Sequence, residues 1–329
     1  MKEKKSKVKI ILNIAIFAVL FILIGLTVLF FMKRQKKEGD GILLSVTEKE
    51  IEVEGLTREY RIYFLADSHI SLCDERDAAL LDKAKSRADS FMYDGIENEY
   101  YFKNLILDAA DREADMVILG GDIVDSAMYK SIEYVEEQLN VLRSKEIPFL
   151  YYSGNHDFEY GSEYFSQTAY DEYLPRLDDI HGVKSYRIAE YEDLIIFTAD
   201  DANNQITEEA LEAFKKVIKK GKPVVLGIHV PLEPETKDTS FLEICKTTWG
   251  ADDAGHSRVT IGPNGCHMNE TTKEFRELVL AKDSPVVLVL GGHVHFFHED
   301  ELNERTIQIV TGAAFEGNAV DITLKPVSK

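Results

Sequence analysis

The chain has 329 residues, 45% of them hydrophobic, which is enough to bury a large core and excludes a disordered protein. It carries net −20, and because residues 1–40 hold nine basic against three acidic groups, about −26 falls on the remaining 289. A body that acidic excludes nucleic-acid binding through a general basic face, whereas a small phosphorylated substrate needs only a local positive site, of the kind bound metal ions provide.

The first feature in the chain is an apolar run over residues 10–32, interrupted only by Asn13, Gly25 and Thr27. It is long enough to cross a hydrocarbon layer as a helix. Phe31-Met32-Lys33-Arg34 offers no small-residue cleavage site, so the run is expected to stay as an anchor rather than be removed as a leader. Lys2, Lys4, Lys5, Lys7 and Lys9 precede it, while Lys33, Arg34, Lys36 and Lys37 follow. The small excess ahead of the run places the N-terminus in the cytoplasm and the body outside it. Residues 1–40 then form a cytoplasmic tail, a transmembrane helix and a short linker, and residues 41–329 one domain, a single-pass membrane protein overall.

Apolar, β-branched and aromatic runs recur at 60–66, 116–119, 148–152, 194–199, 223–228 and 285–290, the pattern of largely buried strands. Between them, 78–91, 100–112, 132–143, 208–219 and 272–280 carry apolar residues at helix spacing. Strands alternating with helices predict an α/β core. The tail segments 306–310 and 318–324 read as a strand pair closing a sheet, and 231–270, without strong periodicity, as an irregular excursion. Cys73, Cys245 and Cys266 are too few for a disulfide framework or a cysteine zinc site, though a Cys245–Cys266 bridge stays open if the body meets an oxidising compartment.

Five of the predicted strands end alike. They run into Asp67-Ser68-His69, Gly120-Gly121-Asp122-Ile123-Val124-Asp125, Gly154-Asn155-His156-Asp157, His229, and Gly291-Gly292-His293-Val294-His295. Carboxyl ends of strands are where loops converge on a site in α/β folds. Taken singly, an aspartate there caps a turn or helix, and a histidine satisfies a core hydrogen bond. Recurrence in order on five strands is what argues for one site. Imidazole, carboxylate and one amide oxygen are donors that accept Zn²⁺, Mn²⁺ or Fe ions, and no thiolate sits among them.

The ordered set DSH, GGDIVD, GNHD, an isolated histidine and GHVH resembles the calcineurin-like metallophosphoesterases over residues 60–325. That resemblance implies a four-layer α-β-β-α sandwich of two mixed sheets with metals at one end; the strand pattern alone fits a three-layer α/β fold as well. It implies one divalent ion held by Asp67, His69, Asp122 and His295, and another held by Asp122, Asn155, His229 and His293, with Asp122 bridging. Ala66 stands where the family's pattern often has serine, which removes no ligand.

Two ions roughly 3.5–4 Å apart lower the pKa of a bridging water, orient it in line with phosphorus and offset phosphoryl charge. The expected activity is therefore metal-dependent hydrolysis of phosphomonoesters or phosphodiesters, with Mn, Fe or Zn as cofactor. His156 is the expected proton donor to the leaving alkoxide, Asp157 the residue that orients or charges it, and Asp125 a support of the metal loop. His181, His256, His267 and His298 are expected to be structural or at the surface. His256 and Arg258 lie in the irregular 231–270 segment, from which a side chain could alternatively reach a substrate phosphate, and Trp249 is either part of a substrate wall or packing. Substrates left open are small phosphorylated molecules and lipid-linked ones, the latter favoured by an anchor; nothing points to a protein partner. The alternatives are a catalytically inactive metal-binding or scaffold protein on the same fold, which the complete ligand set argues against, and a metal-dependent nuclease of short substrates, which the acidic body disfavours.

Overall fold

The computed structural model describes residues 42–158, 167–182, 184–235, 240–250 and 259–327. The expected anchor at 10–32 lies outside them, as do His256 and Arg258; among the described residues no helix is long and apolar enough to cross a membrane.

Strand β1 (Ser45–Val53) leads to β2 (Tyr60–Leu65), α1 (Leu81–Ser90), α2 (Asn98–Asp111), β3 (Met116–Leu119), α3 (Tyr129–Ser144), β4 (Phe149–Tyr151) and α4 (Gln167–Tyr173). The chain continues through β5 (Tyr186–Glu190), β6 (Ile195–Ala199), α5 (Glu208–Ile218), β7 (Val224–Gly227), α6 (Ser240–Trp249) and α7 (Glu270–Leu280). It ends with β8 (Val286–Gly291), β9 (His298–Glu301), β10 (Ile307–Val310) and β11 (Asn318–Pro326).

Two mixed sheets result, in the orders β1-β11-β2-β3-β4 and β5-β6-β7-β8-β10-β9. Side-chain alternation sorts residues onto their two faces. Ile62 and Phe64 of β2, Ile118 of β3 and Ile322 of β11 meet Ile196 of β6, Val225 of β7 and Leu290 of β8 in a cluster between the sheets. The opposite face of the first sheet, through Tyr63, Leu65 and Val117, packs on Phe102 and Leu105 of α2 and Val135 and Leu139 of α3. The opposite face of the second, through Phe197, Leu226 and Val289, packs on Phe214 of α5 and Phe275 of α7. Three such clusters make four layers, helices, sheet, sheet, helices. Central strands are wet on neither face, which is why they read as unbroken apolar runs.

Helix starts follow local chemistry. The Thr207 hydroxyl accepts from the Ala210 amide at the head of α5, with Glu208 and Glu209 in its first turn and Lys215 and Lys216 in its last. Asn269 caps α7 in the same way through the Thr272 amide.

Several sequence expectations are corrected. The two tail strands do not pair: β10 lies beside β8 in the second sheet, while β11 lies between β1 and β2 in the first. Residues 231–270 are no wholly irregular excursion, since α6 lies there, with Phe241 buried. The 78–91 segment is split into a 3₁₀ stretch, Glu75–Leu80, and α1. Cys245 packs with Phe241 and Val294, and Cys266 with the helix-side core of the second sheet, so no disulfide joins them. Strands β1, β5 and β9 went unread because they are outer strands with mixed or wholly polar sequences, SVTEKEIEV, YRIAE and HEDE.

Candidate metal centre

Strands β2, β3 and β4 of one sheet and β7 and β8 of the other release their polar residues at the same end. The loops are tied to each other by backbone hydrogen bonds: Asp67 N to Gly121 O at 3.0 Å, His69 N to Asp122 O at 2.9 Å, and Gly292 N to His229 O at 2.9 Å. Asp67, His69, Asp122, His293 and His295 all hold positive φ between 48° and 72°. Left-handed backbone at non-glycine residues carries a cost, and five such residues on one site are retained where the surroundings over-determine them.

The side chains gather in two groups, Asp67 with His69 and His295, and Asp122 with His229 and His293, the candidate donor atoms of each lying within 4.8 Å of one another. In the first, His69 Nε2 is 3.3 Å from His295 Nε2, and His295 Nε2 is 3.5 Å from Asp67 Oδ1. In the second, His229 Nε2 is 3.1 Å from Asp122 Oδ2. The same Asp122 oxygen stands 3.9 Å from His69 Nε2, so this carboxylate faces both groups.

Hydrogen bonds behind the rings set their tautomers. His229 Nδ1 lies 2.8 Å from Gly120 O, a carbonyl that can only accept, so Nδ1 carries hydrogen and Nε2 presents a lone pair in the neutral ring. His69 Nδ1 is 3.2 Å from Asp125 Oδ1, with the same effect. His229 Nε2 and Asn155 Oδ1 are both buried without a hydrogen-bond partner; the close approach of His229 to Asp122 lacks hydrogen-bond geometry. Buried polar atoms left unsatisfied are costly, and His229 Nε2, beside the carboxylates of Asp122 and Asp67, fits a divalent ion as the missing partner. The donor set thus fits a metal pair. Gly154 is held small by the same crowding, since a Cβ there would lie 2.3 Å from Asp122 Oδ1 and 2.7 Å from His229 Nε2.

Burial alone would push the Asp122 carboxyl up, but His229, with His156 and His69, outweighs it and holds this group well below the usual range. Burial alone would likewise push the Asp67 carboxyl up, but His295, with His229, outweighs it and holds this group below its usual value.

Of the expected proton-handling residues, His156 lies at the rim, its Nδ1 3.3 Å from Asp125 Oδ1. Asp157 does not touch the His156 ring, and its expected role in orienting that ring is corrected. Its carboxylate accepts from the amides of Asp122 (2.9 Å), Val124 (3.0 Å) and Gly154 (2.7 Å) and from the Tyr151 hydroxyl (2.5 Å). Asp157 is therefore a clamp joining the β3 and β4 loops. Burial, then the Asp122 charge, push its carboxyl up to about 7.

Three supports went unread in the sequence. Asp201, at the end of β6, accepts from the amides of His229 and Val230, both at 2.9 Å, and so fixes the loop that carries His229. Its signal, an acidic residue just past a strand, is the same as that of Asp67 and Asp122. Arg87 of α1 grips Asp125, and Phe91 stacks on the His69 ring with centroids 4.0 Å apart. Neither has a local motif. Trp249 donates from Nε1 to Val294 O at 3.0 Å and stands edge-on to His295 with 48% of its surface exposed, at the rim of the centre. His181, buried, meets Ser153 Oγ at 2.6 Å, and His298 meets Asp300 at 3.1 Å; both are structural. His267 serves through its carbonyl, which accepts from Gln205.

Two facing sheets that bring carboxylate, imidazole and amide donors to one end define a metallohydrolase scaffold. The chain belongs to the calcineurin-like phosphoesterase family, whose model matches residues 60–297, and it is accordingly a phosphoric ester hydrolase of a dimetal-dependent family. Among solved structures it is similar to a dimetal phosphatase from Danio rerio, with 10% identity over 78% of this chain and 88% of that one and a TM-score of 0.45. It is also similar to a purple acid phosphatase from yellow lupin, Lupinus luteus, with 12% identity over 81% and 46% of the two chains and a TM-score of 0.48. A third is the calcineurin-like phosphoesterase YfkN from Bacillus subtilis, with 12% identity over 78% and 82% and a TM-score of 0.38. No curated protein matches the chain in sequence.

Proposed function

We propose that the chain hydrolyses phosphomonoesters or phosphodiesters at two divalent ions, one held by Asp67, His69, Asp122 and His295 and the other by Asp122, Asn155, His229 and His293. The observation that carries this is Asp122, whose Oδ2 stands 3.1 Å from one group's imidazole and 3.9 Å from the other's. When bound, such ions supply a nucleophile at neutral pH and offset charge on the phosphoryl oxygens. The protein's own groups do the rest. His156, at the rim and assigned to neither ion, delivers a proton to the departing oxygen, with Asp125 at its Nδ1. Asp201 and Asp157 act by holding loops, not by touching substrate.

Manganese, iron and zinc all suit the donor set. The apolar run at 10–32 supports a single-pass anchor with the hydrolase outside the cytoplasm, and confinement near a bilayer favours a lipid-linked or small phosphorylated substrate. The test is metal analysis of the full chain in detergent together with mono- and diester turnover, alongside Asp122→Asn. The wild type is expected to hold two ions and turn over. An Asp122→Asn protein that keeps both ions and full activity would defeat the assignment.

A further inference from the structure

The carboxyl end of α1 is built around the metal centre in a way the ligand set does not require. Arg87 Nε lies 2.6 Å from Asp125 Oδ2 and its Nη2 lies 2.9 Å from Asp125 Oδ1, a two-pronged grip on a carboxylate that is itself fully buried. Asp125 Oδ1 in turn meets His69 Nδ1 at 3.2 Å and His156 Nδ1 at 3.3 Å. Arg87 Nη2 also comes within 3.3 Å of His156 Nδ1. Four residues on, Phe91 closes the helix through its amide on Arg87 O and lays its ring on the His69 imidazole, while the Arg87 guanidinium sits 4.7 Å from the Phe91 ring centroid.

These contacts join a residue assigned to the first ion, His69, and the residue assigned to the leaving group, His156, through one carboxylate. In the second group His229 is steadied by Gly120 O instead. A bidentate guanidinium fixes the plane of a carboxylate, which a single ammonium does not, and partners behind a ligating histidine tune metal affinity by roughly 10–100-fold.

We propose that Arg87, acting through Asp125, is a positioning residue for both halves of the reaction: it aims His69 at the first ion and His156 at the leaving oxygen. The inference rests on the proposed function and adds to it a residue from outside every motif. Arg87 contacts Asp125, His156 and Phe91 and belongs to neither candidate ligand group. Its removal leaves Asp125 free to turn between the two imidazoles, so both are misaimed together.

The experiment uses the full chain in detergent, stripped of metal and titrated calorimetrically with Mn²⁺ or Zn²⁺, then assayed on an aryl ester with a good leaving group and an alkyl ester with a poor one. Arg87→Ala is expected to weaken one of the two ions roughly 10–100-fold while sparing the other. It is also expected to lower kcat more for the alkyl ester than for the aryl ester, because only the poor leaving group depends on proton delivery. Guanidinium ion at sub-denaturing concentration is expected to restore part of both losses, and Arg87→Lys, which keeps the charge without the fork, to fall between wild type and Arg87→Ala. Should Arg87→Ala not fold, Arg87→Lys carries the test with the same two readouts. Wild-type affinity for both ions in the folded variants, or an equal loss on the two esters, overturns the role of Arg87. A wild-type chain that itself binds fewer than two ions or lacks turnover overturns the proposed function, a separate result read before any variant is made.

Discussion

At the scale of single residues, His156 and Asp321 make opposite kinds of claim. His156 is proposed to belong to the chemistry. His156→Ala is expected to lower kcat on a poor leaving group by about 10²–10⁴, with a much smaller loss on a good one, and steady-state assays on a matched ester pair check it. Asp321 belongs to stability. Its buried carboxylate lies 2.6 Å from Arg61 Nη2 and 2.7 Å from Arg112 Nη1. Burial would push it up, but the two guanidinium groups hold it below its usual value of 3.8. A depressed carboxylate contributes stability that is complete above its unfolded value and is lost as pH falls through the folded one. Asp321→Asn is therefore expected to cost about 1–3 kcal/mol near neutrality. The gap in urea midpoint between variant and wild type should stay constant from neutral pH down to moderate acid and close below 3.8. A gap that widens in acid would contradict the sign.

Elements matter here chiefly through where their ends lie. The β4 loop approaches Asp122 and His229 so closely that the Cβ of Gly154→Ala has no room. The expected outcome is loss of bound metal and of turnover with far-UV circular dichroism unchanged, because the clash falls on the proposed ligands Asp122 and His229 rather than on the sheet. Helix α2 shows the opposite case: Phe102 is fully buried against the first sheet, and Phe102→Ala is expected to cost about 3–5 kcal/mol, read from denaturant midpoints, with metal stoichiometry of the folded fraction kept.

For the whole molecule, the prediction concerns the proposed anchor at 10–32 and its independence from the hydrolase. Deleting residues 1–40 is expected to release the protein from membranes while leaving kcat/KM on a soluble ester unchanged and lowering it on an ester embedded in vesicles. An equal effect on both substrates would mean that the N-terminal segment does more than localise.

Sequence alone was enough for the central strands and the helices α2, α3, α5 and α7, and it singled out Asp67, His69, Asp122, His229, His293 and His295, which the fold gathers into two groups that could hold metal, with Asn155 as a further candidate ligand. Each of these carries a local signal: strands buried on both faces read as apolar runs, amphipathic helices as stripes, and ligands as polar residues just past strand ends. Tertiary structure decided what has no local signal. Which sheet takes β10 and which takes β11 depends on pairing across the fold, and outer strands such as HEDE owe their state to a neighbour rather than to their own side chains. The grip of Arg87 on Asp125 spans 38 positions, and Asp157 turned out to hold backbone amides instead of an imidazole. A side chain's type limits what it can bond to, but only the closing of the chain brings a particular partner within reach.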